Sequence, residues 1–231
     1  MSFRTFILGL SASFGVAWLA IVVVPFIKMR NLAPVVLDEA TDGATGIFYP
    51  KRTGRIINGA QVYAENGCYL CHTQVVRPTY AGNDLYRPDW GGLKADAERG
   101  DTRRETNAWD FFGEKFAQIG VSRMGPDLSN LARRVEANYP NGAGKWLYAH
   151  LYNPRAEPLL WKSTCPSVRF LFDERKIVGN PSADAIHLNG REDVEMVPNA
   201  EARALVSYLL SLKKDQKVPA VLDFGPPKKK G

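Results

Sequence analysis

The sequence is poor in cysteine, with 3 in 231 residues. That is too few for the disulfide framework of a small secreted scaffold. Acidic residues are missing from the first 30 positions, where Arg4, Lys28 and Arg30 carry the only side-chain charges. Alternating strand patterns and internal repeats are also missing, so the expected fold is mainly α. No G-x-S-x-G, H-E-x-x-H or Walker-type loop occurs, which leaves hydrolytic and nucleophilic catalysis without support. A basic face is lacking too, despite the formal net charge of +6. Three of the excess charges lie in residues 1–30 and three in Lys228, Lys229 and Lys230, leaving 24 basic against 24 acidic residues in 31–227. A neutral body of this kind gives no nucleic-acid partner. The hydrophobic content of 45% excludes a disordered chain.

What is present begins with Phe6 to Ile27, 22 residues without a charge. At about 1.5 Å per residue this run reaches about 33 Å, enough to cross a bilayer core of about 30 Å. It continues straight into Lys28 with no small-x-small cleavage site, so a retained membrane anchor is expected rather than a secretory signal. Gly9 with Ser13, and Ser11 with Gly15, form two small-xxx-small pairs of the kind that admit a close partner helix. Lys28 and Arg30 against Arg4 slightly favour a cytoplasmic C-terminal domain by positive-inside counting. The expected organisation is an anchor over 1–30 with its span at 6–27, a linker over 31–54, a folded domain over 55–213 and a disordered basic tail over 214–231. Within the domain, the polar, turn-rich residues 79–105 read as a long surface insertion.

Chemistry is concentrated in Cys68-x-x-Cys71-His72, the attachment signature of c-type haem. Two thiols can fix the porphyrin covalently, and the following histidine supplies the proximal nitrogen to iron. A zinc site would need further ligands at similar spacing, and only the scattered His150, Cys165 and His187 remain. A thioredoxin-type pair would sit on a βαβ pattern, and none is visible.

Residues 57–66 read as a short helix leading into this motif, with Gly59 and Tyr63 on one face. Asn199 to Leu212 is the clearest amphipathic helix, with Leu205, Tyr208, Leu209 and Leu212 at i, i+3, i+4 and i+7. Pro198 precedes it and Asn199 can cap it. A small residue on one helix and an aromatic on the other suit a close crossing. A helix, C-x-x-C-H, loops and a closing helix resemble a class I cytochrome c. The expected fold is therefore a single N-terminal transmembrane helix plus a class I cytochrome c-like haem domain with long loop insertions.

Several stretches together resemble the monohaem subunit of cbb3-type cytochrome c oxidase. They are the anchor, Asn66 to Pro78 (NGCYLCHTQVVRP), Gly125 to Leu128 (GPDL), His150 to Arg155 (HLYNPR) and Ala204 to Leu209 (ALVSYL). The resemblance implies one covalently bound haem c, held by Cys68 and Cys71 with His72 on the iron. It implies a bacterial inner-membrane protein with its haem domain in the periplasm, overruling the weak charge count. The partners implied are a haem–copper catalytic subunit that reduces oxygen, other c-type cytochrome subunits and the lipid bilayer. On this reading the chain relays electrons and has no catalytic chemistry of its own. Arg77 becomes a candidate propionate partner. The Pro126 carbonyl becomes a candidate acceptor for the His72 Nδ1 proton, orienting the ring.

The chain departs from its relatives at the distal ligand. Their methionine, in a Met-Pro pair, is replaced by Cys165 in Ser163 to Phe172 (STCPSVRFLF). Position thus favours Cys165. Redox chemistry favours Met196, because a thiolate lowers the haem potential and methionine raises it. Met124 is a weaker candidate, and His150 reads as a packing histidine on a short helix with Trp146, Leu147 and Leu151. Two other functions compete: a stand-alone membrane-anchored cytochrome shuttle, and a haem-based gas or redox sensor with an open distal site.

Overall fold

The computed structural model describes residues 2–31, 52–187, 191–218, 223, 225 and 226. The chain divides into two units, Met1–Ala44 and Thr45–Gly231. It is mostly helical.

The first unit is a helix from Phe3 to Met29, long and apolar enough to cross a membrane, with mean hydropathy 2.3. The expected span at 6–27 lies inside it. Ser2 caps the start, its hydroxyl accepting from the Thr5 N–H. The helix runs as α1 (Phe3–Trp18), a π turn (Leu19–Val23) and α2 (Val24–Met29). Pro25 explains the π turn. Its ring crowds the carbonyl four residues back, and it has no N–H to donate. The chain widens, and the Val24 N–H reaches the Leu19 carbonyl five residues back. None of its residues is buried, so all its apolar side chains await a lipid or protein environment.

The second unit opens with α3 (Gly54–Glu65), capped by Thr53. The linker expected over 31–54 falls mostly on residues 32–51, outside the described residues. Its last part is built into the fold, because Arg52 pairs with Glu114 at 2.7 Å. Helices α4 (Leu131–Asn138) and α5 (Ala143–Tyr152) follow the cofactor motif. The closing helix α6 (Ala200–Leu210) carries the Asn199 cap, whose Oδ1 accepts the Ala202 N–H at 2.9 Å. α3 crosses α6 at Gly59. A Cβ there would lie 2.0 Å from the Ala204 carbonyl oxygen and 2.7 Å from the Tyr208 Cβ, so only glycine allows the approach. Val62, Tyr63, Leu147, Leu171, Leu205, Tyr208, Leu209 and Leu212 form the buried core at this crossing. The Tyr63 and Tyr208 rings meet at 5.4 Å.

Three features differ from the sequence reading. First, there is a small antiparallel sheet: β1 (Phe172–Lys176) and β2 (Ile186–His187) flank the central β3 (Val194–Pro198). β3 is buried along its whole length and β1 is exposed after Phe172, so neither strand alternates in sequence. Second, the 79–105 insertion is packed into the domain: Asp84, Leu85, Gly91 and Gly92 are buried, with Asp84 held by Arg77 and Arg123. Third, the tail does not begin at 214, because Lys214 and Asp215 are both buried. The Asp215 carboxylate takes Arg133 at 3.0 Å, Thr102 at 2.8 Å and Arg99 at 3.5 Å. Polar composition suggested a free tail; a buried ion-pair cluster uses the same residues as anchors. The rest of the expected tail falls largely on residues 219–222, 224 and 227–231, outside the described residues.

Candidate cofactor site

α3 ends at Asn66, and Gly67 turns the chain at φ +65°, a conformation that favours glycine. A 3₁₀ turn, Cys68–Leu70, follows. The N–H groups of Cys71 and His72 both reach back to the Cys68 carbonyl, at 3.2 and 3.1 Å. This tight turn gathers two half-buried free thiols and an imidazole within five residues. Burial, reinforced by the nearby Cys165, pushes the Cys68 thiol up to about 11.

His72 is held by the segment that follows residue 119. Its Nδ1 lies 2.8 Å from the Pro126 carbonyl oxygen. A carbonyl only accepts, so Nδ1 carries the proton and Nε2 keeps its lone pair. Gly125 lies flat against the ring, where a Cβ would come within 2.2 Å of His72 Cε1. The Gly125 N–H donates to the Cys71 carbonyl at 2.9 Å, and the Val121 N–H to that of Tyr69 at 2.8 Å. Asp127, fully buried, fixes the next stretch by accepting from Thr73 Oγ1 at 2.6 Å and the Val75 N–H at 2.8 Å. Burial also lowers the His72 pKa, which keeps the ring neutral.

Beneath the motif, the fully buried Gln74 exchanges hydrogen bonds with the Tyr208 hydroxyl, at 2.8 and 3.2 Å. This ties the cofactor segment to α6.

The other residues singled out from the sequence are dispersed. Arg77 forms a two-point pair with the buried Asp84, Nε at 3.1 Å and Nη2 at 2.9 Å. Arg123 adds a third contact to the same carboxylate at 2.7 Å. Met196 occupies the middle of β3, opposite Glu174 on one side and Ile186 on the other, inside the hydrophobic core. Met124 is exposed. Cys165 is half-buried in the loop before β1, its carbonyl taking Arg155 at 3.0 Å. Burial raises its pKa, and so does the negative charge Cys71 would carry; Cys165 in turn raises Cys68. His150 stacks on Trp146 at 4.9 Å, and its buried Nδ1 has no hydrogen-bond partner.

Sequence reasoning missed Arg134. This guanidinium, on the first turn of α4, bonds to the carbonyls of Asp127 and Asp89 and lies over Trp90. Among the described residues it pairs with no carboxylate, and burial lowers its pKa. Its contact at Asp127 is adjacent to the Pro126 carbonyl that holds His72. The sequence signal is slight: Arg134 follows Leu128 by six residues.

A family model described as cytochrome c oxidase, mono-heme subunit/FixO matches residues 11–194. The matched stretch contains the Cys68–His72 motif, Gly125 to Leu128, His150 and Cys165, and stops short of Met196. No curated protein matches the chain.

Proposed function

The chain belongs to the FixO family of mono-haem cytochrome c oxidase subunits, and on that premise we propose that it relays electrons toward a haem–copper catalytic subunit that reduces oxygen. One haem c is joined through Cys68 and Cys71, with His72 as the proximal iron ligand. The N-terminal helix anchors the chain in the bacterial inner membrane, with the second unit on the periplasmic side. Other c-type cytochrome subunits of the same complex are its further partners.

One observation carries the reading: His72 Nδ1 donates to the Pro126 carbonyl, leaving Nε2 free beside two half-buried thiols. Other residues fit the same group. Gly125 leaves a flat face against the imidazole that any side chain would fill. Arg134 is a half-buried cation that makes no ion pair among the described residues, with Asp127 and Asp89 at longer range, and its guanidinium fork suits a propionate. Arg77 already has Asp84, so a propionate would share it. A haem iron supplies one-electron exchange between the ferric and ferrous states. The chain's own work is to orient His72, exclude water with the Tyr63–Tyr208–Gln74 layer and balance charge with Arg134.

For the distal ligand we favour Cys165 over Met196. Cys165 stands where the family keeps its methionine, and it is half-buried in the loop before β1. Met196 lies at the centre of a three-stranded sheet, inside the hydrophobic core. A thiolate there sets a lower potential than methionine would.

Rapid mixing of the reduced chain with the oxidase complex stripped of it tests the relay. Reoxidation at a rate that supports turnover is expected. A chain that purifies alone in one stable piece, and whose addition leaves oxygen reduction by the stripped complex unchanged, would instead be a stand-alone shuttle.

A further inference from the structure

Away from the cofactor motif, one buried cluster holds polar atoms that its own members leave unsatisfied. Lys214 is 5% exposed. Its backbone N–H donates to the Ser129 carbonyl at 3.0 Å, which pins it into the domain just past α6. Its ammonium lies 3.6 Å from the centre of the Phe111 ring and 3.5 Å from Glu114 Oε1, with no closer polar partner among the described residues. The same carboxylate oxygen takes Arg52 at 2.7 Å. Glu114 Oε2 and Arg52 Nε are also buried and unpartnered. Two donors and one acceptor in one ion-paired cluster are thus left over. Buried atoms of this kind are satisfied in folded proteins by internal water or by a change of protonation.

Lys214 is the group most able to change. Glu114 and Arg52 face it most closely, together with Asp110. Asp110 is itself paired with Arg104 at 2.5 Å. Its chain neighbours are engaged elsewhere, Lys213 with Glu136 at 2.7 Å and Asp215 with Arg133 at 3.0 Å. Burial, partly offset by Glu114 and Asp110, brings the ammonium down to about 8.

The cluster is also connected to the cofactor motif. The Tyr208 phenol is raised by burial first, then by the charge of Glu114, with a smaller contribution from Cys68. The same hydroxyl is bonded to Gln74, two residues after His72. Hydrogen bonds join the two as well: Ser129, whose carbonyl holds the Lys214 N–H, donates its own N–H to Asp127 Oδ1 at 2.8 Å, and Asp127 Oδ2 accepts from Thr73 Oγ1, next to His72, at 2.6 Å.

We infer that Arg52, Glu114 and Lys214, with internal water, form a buried proton-binding site whose occupancy is coupled to the charge of the centre held by His72. The inference rests on the function proposed above. Above pH about 8, where Lys214 Nζ is neutral in the oxidised chain, gain of an electron by the centre draws a proton from solvent onto Nζ, and loss of the electron returns it. Nothing else is made or broken.

Redox titration of the full-length chain in detergent, followed optically over the neutral to alkaline range, tests it. The midpoint potential of the wild type falls as pH rises through about 8, because the reduced state holds the proton more tightly. Lys214→Met abolishes the fall. Glu114→Gln removes the neighbouring negative charge, lowers the Lys214 pKa and moves the fall to lower pH. A potential independent of pH in the wild type, or an unchanged fall in either variant that folds, overturns the inference. A chain without a haem spectrum before titration contradicts the proposed function instead.

Discussion

Gly125 and Lys214 show how far single residues control this molecule. Gly125→Ala would put a methyl group 2.2 Å from His72 Cε1. The ring must then turn or the Pro126 contact break. The expected outcome is a several-fold loss of bound haem per chain, read from the reduced alkaline pyridine spectrum, with helical content retained. Unaltered haem content would show that the flat face has no role. Lys214 makes a prediction about stability. Its folded pKa, about 8, lies below the ordinary lysine value of 10.5. Below about 8 both states hold the proton and folding bears the full cost of a buried charge. Between 8 and 10.5 the folded state releases the proton first, so stability rises with pH there, by about 3 kcal/mol at most. Thermal melts across this window should show a rise that Lys214→Met removes. The Pro126 carbonyl as partner of His72 was legible through the family resemblance, and the attachment motif directly in the sequence. Its chemistry is local, set by spacing along five residues. Arg134 and Lys214 matter because of what long-range folding places, or fails to place, beside them.

At the scale of elements, the crossing of α3 and α6 is the joint on which the cofactor segment rests. Gly59→Ala would place a methyl 2.0 Å from the Ala204 carbonyl oxygen, forcing the helices apart. A destabilisation of about 2–3 kcal/mol is expected, measured by denaturant unfolding. Asn199→Ala, which removes only the α6 cap, should cost about 1 kcal/mol in the same assay. Equal effects from the two would mean that the close approach is unimportant. Both helices were legible, because a small-residue face and an i, i+3, i+4, i+7 stripe persist over several turns. The sheet was not: a fully buried strand and a mostly exposed one lack the alternation that reveals strands. That omission had a consequence at the site. Without β3, nothing in the sequence placed Met196 in a buried strand.

For the whole molecule, the two units make separable demands. Every described residue of the N-terminal helix is unburied, and the second unit carries its own core. Deleting residues 1–44 should convert a protein that resists alkaline extraction from membranes into a soluble one with an unchanged haem spectrum. Retention in the membrane fraction would mean that another surface holds it there. The net charge of +6 belongs to the ends of the sequence, and it says nothing of the site. Most directly, the account stands on covalent attachment at Cys68 and Cys71. Intact-mass measurement of the denatured chain from native membranes decides it. The account expects the mass of the polypeptide plus one haem, falling to the polypeptide alone in Cys68→Ala/Cys71→Ala. A wild-type chain with no haem mass after denaturation would contradict it.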